Sequence, residues 1–364
     1  MDFNCSEQCI LEIKNTEKFE LYLPVIVFMG LLFLMGTIGN IIVLMVYSQK
    51  KRKTSSHFFI LTLSILDLFG CFFGIPTEIA DLCNPYLFDA PFACRLLRFT
   101  LSVTTISSAI VLLEVAFDRY YRICKVGLQY SLRKTKLLCV VALFIGVLLS
   151  WPSFVIFGKK RVEVVPGIYG SDCSTDDSID KKYPTTYYGF LFLLFIICTA
   201  LIFGLYVRLS LEVRKRKDLQ IHTKSTQQPI CPSQRDSEEP SVVDLSDETP
   251  ENNKQRKYSA AVIKVPRQGQ QIRVGRTTVI LFAVSVIFVV SYLPFLIAMV
   301  VRNVWKEFES SLNPTAELIY KFCLKSYFLN NAINPIVYSF LNVNFRQEIP
   351  RAAANCFCKG CCKR

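Results

Sequence analysis

Residues 96–121 read LLRFTLSVTTISSAIVLLEVAFDRYY. Twenty-two of these 26 positions carry no charge, and the run ends in Asp118-Arg119-Tyr120. About 20 mostly apolar residues suffice for a helix to cross the hydrocarbon layer of a bilayer. Six further runs of that kind follow the same rule: Tyr22 to Tyr47, Phe58 to Leu82, Leu137 to Phe157, Tyr187 to Leu211, Thr277 to Val301 and Ala316 to Leu341. Each is expected to be helical, because lipid offers no partners to backbone N–H and C=O groups. Pro76, Pro152, Pro294 and Pro335 fall inside spans, where proline kinks a helix. Of the 364 residues, 52% are hydrophobic and 20% charged. Gathered into long runs, this composition nearly excludes a soluble fold, a coiled coil or a disordered chain. It also argues against a nucleic-acid binder, despite a net charge of +13.

Seven spans place the two termini on opposite sides. With the N-terminus outside, the inner side holds 29 basic and 10 acidic residues, and the outer side 13 and 16. This asymmetry follows the positive-inside rule. Residues 1–20 lack a basic n-region and an apolar h-region, so no cleavable signal peptide is expected. Residues 1–21 read as an extracellular segment, 22–341 as the seven-span domain, and 342–364 as a short helix and cytoplasmic tail. The third inner loop, about 218–270, is rich in Ser, Thr, Pro and charge, and is expected to be disordered at its centre.

Cys94 and Cys173 both lie outside, where an oxidising compartment favours a disulfide. Cys5 and Cys9 are also outer, and their pairing is open. Asn4-Cys5-Ser6 matches the N-glycosylation sequon. Cys356, Cys358, Cys361 and Cys362 are inner and stand beside Lys359, Lys363 and Arg364, a setting that favours S-palmitoylation over a zinc site.

Several motifs stand at fixed places in the spans. The first carries Gly39-Asn40, the second Leu63-Ser64-Ile65-Leu66-Asp67 and the third Asp118-Arg119-Tyr120. The seventh ends Asn334-Pro335-Ile336-Val337-Tyr338, with Asn344-Phe345-Arg346 just beyond. Together with the Cys94 and Cys173 positions, these resemble the rhodopsin-like (class A) G-protein-coupled receptors over all seven spans. The resemblance implies an all-α seven-helix bundle with a short amphipathic eighth helix, in the plasma membrane. It implies a receptor rather than an enzyme or transporter. His57 and His222 are the only histidines, no HExxH or GxSxG pattern occurs, and no internal repeat is visible.

The resemblance also assigns roles. Arg119 is the switch, resting on Asp118 and swinging towards a heterotrimeric G protein past Tyr206 and Tyr338. Phe288, Tyr292 and Pro294 belong to the transmission core, with Tyr292 where the family favours tryptophan. Asp67, Ser108, Asn330 and Asn334 would surround a sodium ion, a hard cation suited to oxygen donors. A protonated Asp67 in a hydrogen-bonded cluster is the alternative. Glu114 lies one turn before Asp118, with no partner evident. The foot of the sixth span, Gln271 to Arg276, has no acid, so raised basal activity is expected.

The family's ligand pocket maps to Thr77, Glu78, Arg98, Leu101, Thr105, Phe295, Met299, Arg302, Tyr320 and Leu324. Arg98 or Arg302 is suited to a ligand carboxylate, and Glu78 to a cation. Leu101 stands where amine receptors carry aspartate, and Phe328 where opsins carry the retinal lysine, so both ligand classes are disfavoured. A neuropeptide is the expected ligand, attracted by acidic outer segments such as Asp2, Glu7, Glu12, Glu17 and Glu20. A lipid or small metabolite is the second reading, and a degenerate, weakly signalling receptor the third. Residues 342–364 hold no Ser or Thr. Regulation by kinases and arrestin would therefore use Ser233, Ser237, Ser241, Ser246 and Thr249 of the third loop.

Overall fold

The computed structural model describes residues 6–125, 130–180, 182–226, 276–305 and 308–361. Six of the expected spans are continuous helices long and apolar enough to cross a membrane. They are α1 (Glu7–Ser48), α2 (Ser55–Phe69) running on into α3 (Ile75–Cys83), α4 (Pro91–Cys124), α5 (Leu132–Ile156), α6 (Lys182–Thr226) and α7 (Arg276–Val304). A short α8 (Phe308–Ser311) follows. The seventh span is built of two helices, α9 (Pro314–Lys325) and α10 (Phe328–Leu341), and α11 (Val343–Cys361) is the expected eighth helix. By contact density the chain divides into residues 1–210 with 274–364, and residues 211–273. The fold described here is that of the first unit.

Three features depart from the expected spans. The first helix begins at Glu7, four turns before Tyr22. Ser6 caps it by accepting from the Cys9 amide, 3.3 Å. This polar extension is held down by two ends of one side chain. Asn15 Nδ2 donates to the Cys83 carbonyl, 3.1 Å, and Asn15 Oδ1 accepts from the Tyr86 amide, 3.2 Å. In the second span, Gly70–Gly74 forms a single π-helical turn between α2 and α3, just before Pro76. The seventh span breaks at Ser326–Tyr327, where the Ser326 hydroxyl donates to the Ser291 carbonyl of α7, 2.8 Å.

The chain is also not purely helical. Between α5 and α6, β1 (Phe157–Val165) and β2 (Ile168–Thr175) form an antiparallel hairpin, with Cys173 opposite Lys159. Its turn is Pro166-Gly167, with Gly167 at φ +85°. Proline presets the first turn position and glycine takes the left-handed one. Ser171 ties the hairpin to the loop after α3, exchanging backbone bonds with Tyr86 and Phe88 at 2.8 and 3.1 Å. Cys173 is disulfide-bonded to Cys94 at the start of α4, with their Cα atoms 5.7 Å apart.

The interior holds Met29, Phe59, Ile60, Leu63, Val111, Leu112, Ile280 and Phe328, all essentially inaccessible. The outer surface is strongly apolar as well: Phe144 is 67% exposed and Phe203 69%. Contiguous exposed apolar surface of this kind is stable against lipid, not water. Close helix contact needs small residues at the crossing. At Gly39 a Cβ would stand 2.7 Å from Pro335 Cβ, so α1 and α10 touch there only because glycine has no side chain. Beyond α10, Phe345 of α11 is buried and stacks on Tyr47, centroids 5.8 Å apart. Arg346 donates to the Ser339 and Phe340 carbonyls at 2.8 and 3.0 Å, satisfying the end of α10.

Candidate functional site

At the end of the bundle opposite the disulfide, Asp118 and Arg119 are both buried and form an ion pair. A buried ion pair holds only if the remaining donors and acceptors are satisfied. The first turn of α2 supplies them. Ser55 Oγ donates to Asp118 Oδ1, 3.0 Å, and accepts from Arg122, 2.8 Å. Arg119 Nη2 donates to Ser56 Oγ, 2.7 Å. The two serines are the partners that sequence reasoning missed. Their signal was faint: Thr54-Ser55-Ser56 reads as a helix start, and only packing brings it against α4. The foot of the sixth span, Gln271 to Gly275, lies outside the described residues. Tyr206 is buried against Phe282, 4.9 Å between rings. The Tyr338 hydroxyl is buried with no hydrogen-bond partner among the described residues. Tyr120 packs edge-on against Tyr121, 5.7 Å.

In the middle of the bundle, Asp67 is buried and accepts from Asn334 Nδ2, 2.8 Å. Asn40 donates to the Asn331 carbonyl, 2.8 Å, joining α1 to α10. Asp67 Oδ1, Asn330 Oδ1 and Asn334 Oδ1 are all buried without a donor among the described residues, and Ser108 is buried too. Buried polar atoms are normally satisfied. Three such oxygens, one of them carboxylate, fit a small hard cation. Nearer the disulfide end, Tyr292 donates to or accepts from Thr105, 2.9 Å, and its ring lies 4.6 Å from Phe288 and 5.8 Å from Tyr327. Pro294 is half-buried within α7, immediately before Phe295, whose ring meets Tyr327 at 5.1 Å.

The mapped pocket residues contain a feature that none shows singly. Glu78 is wholly buried, and its two oxygens hold two cations from two other helices, Arg98 of α4 and Lys325 of α9. Arg98 also stands 3.5 Å from Asp81 and from the Cys173 carbonyl. Glu78 and Arg98 are therefore engaged with each other rather than open. Lys325 is the member sequence reasoning passed over, as a lysine one turn from the opsin position. Leu101 and Phe328 both abut Gly74, where a Cβ would clash with them. Arg302 stands 3.4 Å from Glu309, which accepts from Tyr320, 3.0 Å. Thr77, Met299 and Leu324 are half-buried. Around the mouth, Glu317 accepts from Lys18 at 2.6 Å and from Tyr22, tying α9 to α1. Asn4, Cys5, Cys362 and the loop Ser and Thr residues lie outside the described residues, as do the side chains of Cys356, Cys358 and Cys361. Cys9 is disulfide-bonded.

Residues 39–338 match the family described as 7 transmembrane receptor (rhodopsin family). The chain is similar to Neuromedin-U receptor 2 of Rattus norvegicus, 24% identical over 98% of this chain and 82% of the relative. The Homo sapiens Neuromedin-U receptor 2 is 23% identical over 94% of this chain and 74% of its own length. A Violet-sensitive opsin of Xenopus laevis is 30% identical over 55% of this chain and 58% of its own length. The family match runs from Gly39 in the first span to Tyr338 in the seventh and takes in the disulfide, and the chain belongs to the rhodopsin family of seven-transmembrane receptors, multi-pass membrane proteins that are not enzymes.

Proposed function

We propose that this receptor binds an extracellular peptide at its disulfide end and activates a heterotrimeric G protein at its Arg119 end. The carrying observation is the Asp118–Arg119 pair clasped by Ser55 and Ser56. It is a two-position element: the guanidinium rests on α2 and α4, and is free to serve a partner once that contact opens. A ligand that binds the open form better shifts the population towards it. Similarity to Neuromedin-U receptor 2 along nearly the whole chain supports a peptide ligand. The charge asymmetry of the loops supports an outer N-terminus and an inner C-terminus.

The pocket reading sharpens with the geometry. Glu78 serves as an internal counter-ion to Arg98, so the mapped pocket charge more available to a ligand is Arg302, 31% exposed and only loosely paired with Glu309. Phe328 and the Glu78-bound Lys325 leave retinal no suitable amine, despite the opsin similarity. Asp67, Ser108, Asn330 and Asn334 would hold a sodium ion that supplies positive charge at mid-membrane. The four residues then cross-link the second, third and seventh spans and favour the resting arrangement.

The test is a calcium and cAMP screen in cells expressing the full chain. It compares neuromedin U and a peptide library with a lipid and metabolite library. A potent peptide response, weakened at least tenfold by Arg302→Ala, is the expected result. Responses confined to lipids or metabolites would replace the peptide reading.

A further inference from the structure

Lys325, Ser326 and Tyr327 stand where the seventh span breaks between α9 and α10, and all three are buried. Each of these consecutive side chains holds a different partner. Lys325 is ion-paired with Glu78 of α3. The Ser326 hydroxyl donates to the Ser291 carbonyl of α7, 2.8 Å, three residues before Pro294. The Tyr327 ring meets Tyr292 and Phe295 of α7, with centroids 5.8 and 5.1 Å apart, and Phe328 at 4.3 Å. A proline inside a helix and an interruption of its hydrogen-bond ladder are both places where a span bends. The two bends lie side by side here, joined by one hydrogen bond and one cluster of rings. Packed interiors of this kind shift between discrete arrangements rather than deforming smoothly.

The two cations on Glu78 are not equivalent. Arg98 has further partners, Asp81 and the Cys173 carbonyl, each 3.5 Å away. Lys325 makes no other ion pair or hydrogen bond among the described residues. An unpaired ammonium at this depth is strongly disfavoured, so Lys325 must stay with Glu78, and the end of α9 is fixed to α3. This contact occurs in the same structure in which Arg119 rests on Asp118 and Ser56, so it belongs to the closed arrangement. Beyond the break, α10 carries Asn334, bound to Asp67, and Tyr338. We infer that Lys325 is a positioning residue for signal transmission. Paired with Glu78, it sets the bend at Ser326-Tyr327, and through Tyr327 it sets the packing of Tyr292 and the lie of α10. A ligand acts on this joint by changing what the Glu78 oxygens hold. The inference rests on the reading that opening the Arg119 end activates a G protein.

The test expresses the full chain in cells without added ligand and compares signalling at matched surface levels. Lys325→Met should raise it about tenfold, because a charge-assisted bond is lost from the closed form alone. Lys325→Arg keeps the charge and should stay near wild type. Ser326→Ala keeps the ion pair but loses the bond to α7, and should raise signalling about threefold. It stands in if Lys325→Met fails to reach the surface. Lys159→Ala removes an exposed ion pair with Asp89 at the same end and should change nothing. In a Tyr327→Leu background, Lys325→Met should add less than about twofold, since both act through one ring. A full tenfold increment there would overturn the inference, and so would wild-type signalling from both Lys325→Met and Ser326→Ala. Amide exchange of the purified protein gives a readout that needs no G protein. Lys325→Met should speed exchange about tenfold in residues 328–331 and leave α5 unchanged. Equal acceleration in both would mark general loosening and overturn the inference. Faster exchange at 328–331 with silent signalling in every variant would uphold the joint and refute the G-protein reading.

Discussion

Glu78 shows how a single side chain joins three helices. A carboxylate with no solvent exposure is tolerable only while both oxygens are occupied by charge or hydrogen bonds. Arg98 and Lys325 meet that need together. Glu78→Gln leaves two cations facing each other in the interior, and should cost about 3–5 kcal/mol. Lys325→Met leaves Glu78 with Arg98 and should cost less. The double variant should fall well short of the sum, because both changes touch one network. Melting temperatures of the purified proteins check this. Additive losses would show that the three groups do not act as a unit. Arg98 and Glu78 each stood out in the sequence as charges inside apolar runs. Their partnership did not, because 20 residues separate them and 247 separate Glu78 from Lys325.

Helices behave less uniformly than hydropathy suggests. Seven spans are legible as apolar runs, since the hydrocarbon thickness sets their length, and six of them are single long helices among the described residues. The polar start of α1 is invisible to that signal. It exists because Asn15 and Lys18 find partners on other elements, so its helicity is tertiary in origin. The hairpin between α5 and α6 was readable, from Val165-Pro166-Gly167-Ile168, but its charged strands obscured the alternation. At the level of element packing, Gly39 is decisive. Gly39→Ala puts a methyl group against Pro335 at 2.7 Å. Rigid neighbours on both sides should make this cost about 1–3 kcal/mol, seen as a lower melting temperature with reduced surface expression. An unchanged protein would mean that α1 and α10 can part without penalty.

At the scale of the molecule, the question is what holds the Arg119 end closed. No acid is present at the foot of the sixth span, and the described contacts of Arg119 are Asp118 and Ser56. The resting state then depends on a hydroxyl where an ion pair would be stronger. A hydrogen bond to a charged group contributes about 1.5–3 kcal/mol. Ser56→Ala should therefore raise ligand-free signalling by about tenfold, measured against wild type at matched surface levels. Basal signalling that stays at the wild-type level would place the restraint elsewhere, in the packing of the helices. Ser171→Ala, whose hydroxyl serves only the loop at the far end, is the control.

The sequence by itself determined the seven spans, the family, the disulfide pair and the positions of the residues proposed as the switch. These rest on local composition, on fixed motif spacing and on the rule that lipid cannot satisfy an open backbone. Tertiary structure alone decided which charges meet. Glu78 takes Arg98 and Lys325, Arg119 takes Ser56, and Glu317 takes Lys18 and Tyr22. Such pairings depend on how helices rotate and cross, which side-chain packing sets over distances that no local pattern encodes. The same holds for Lys53 and Lys136 over the Phe58 ring, unremarkable one by one along the chain and brought together only once α2 and α5 stand side by side.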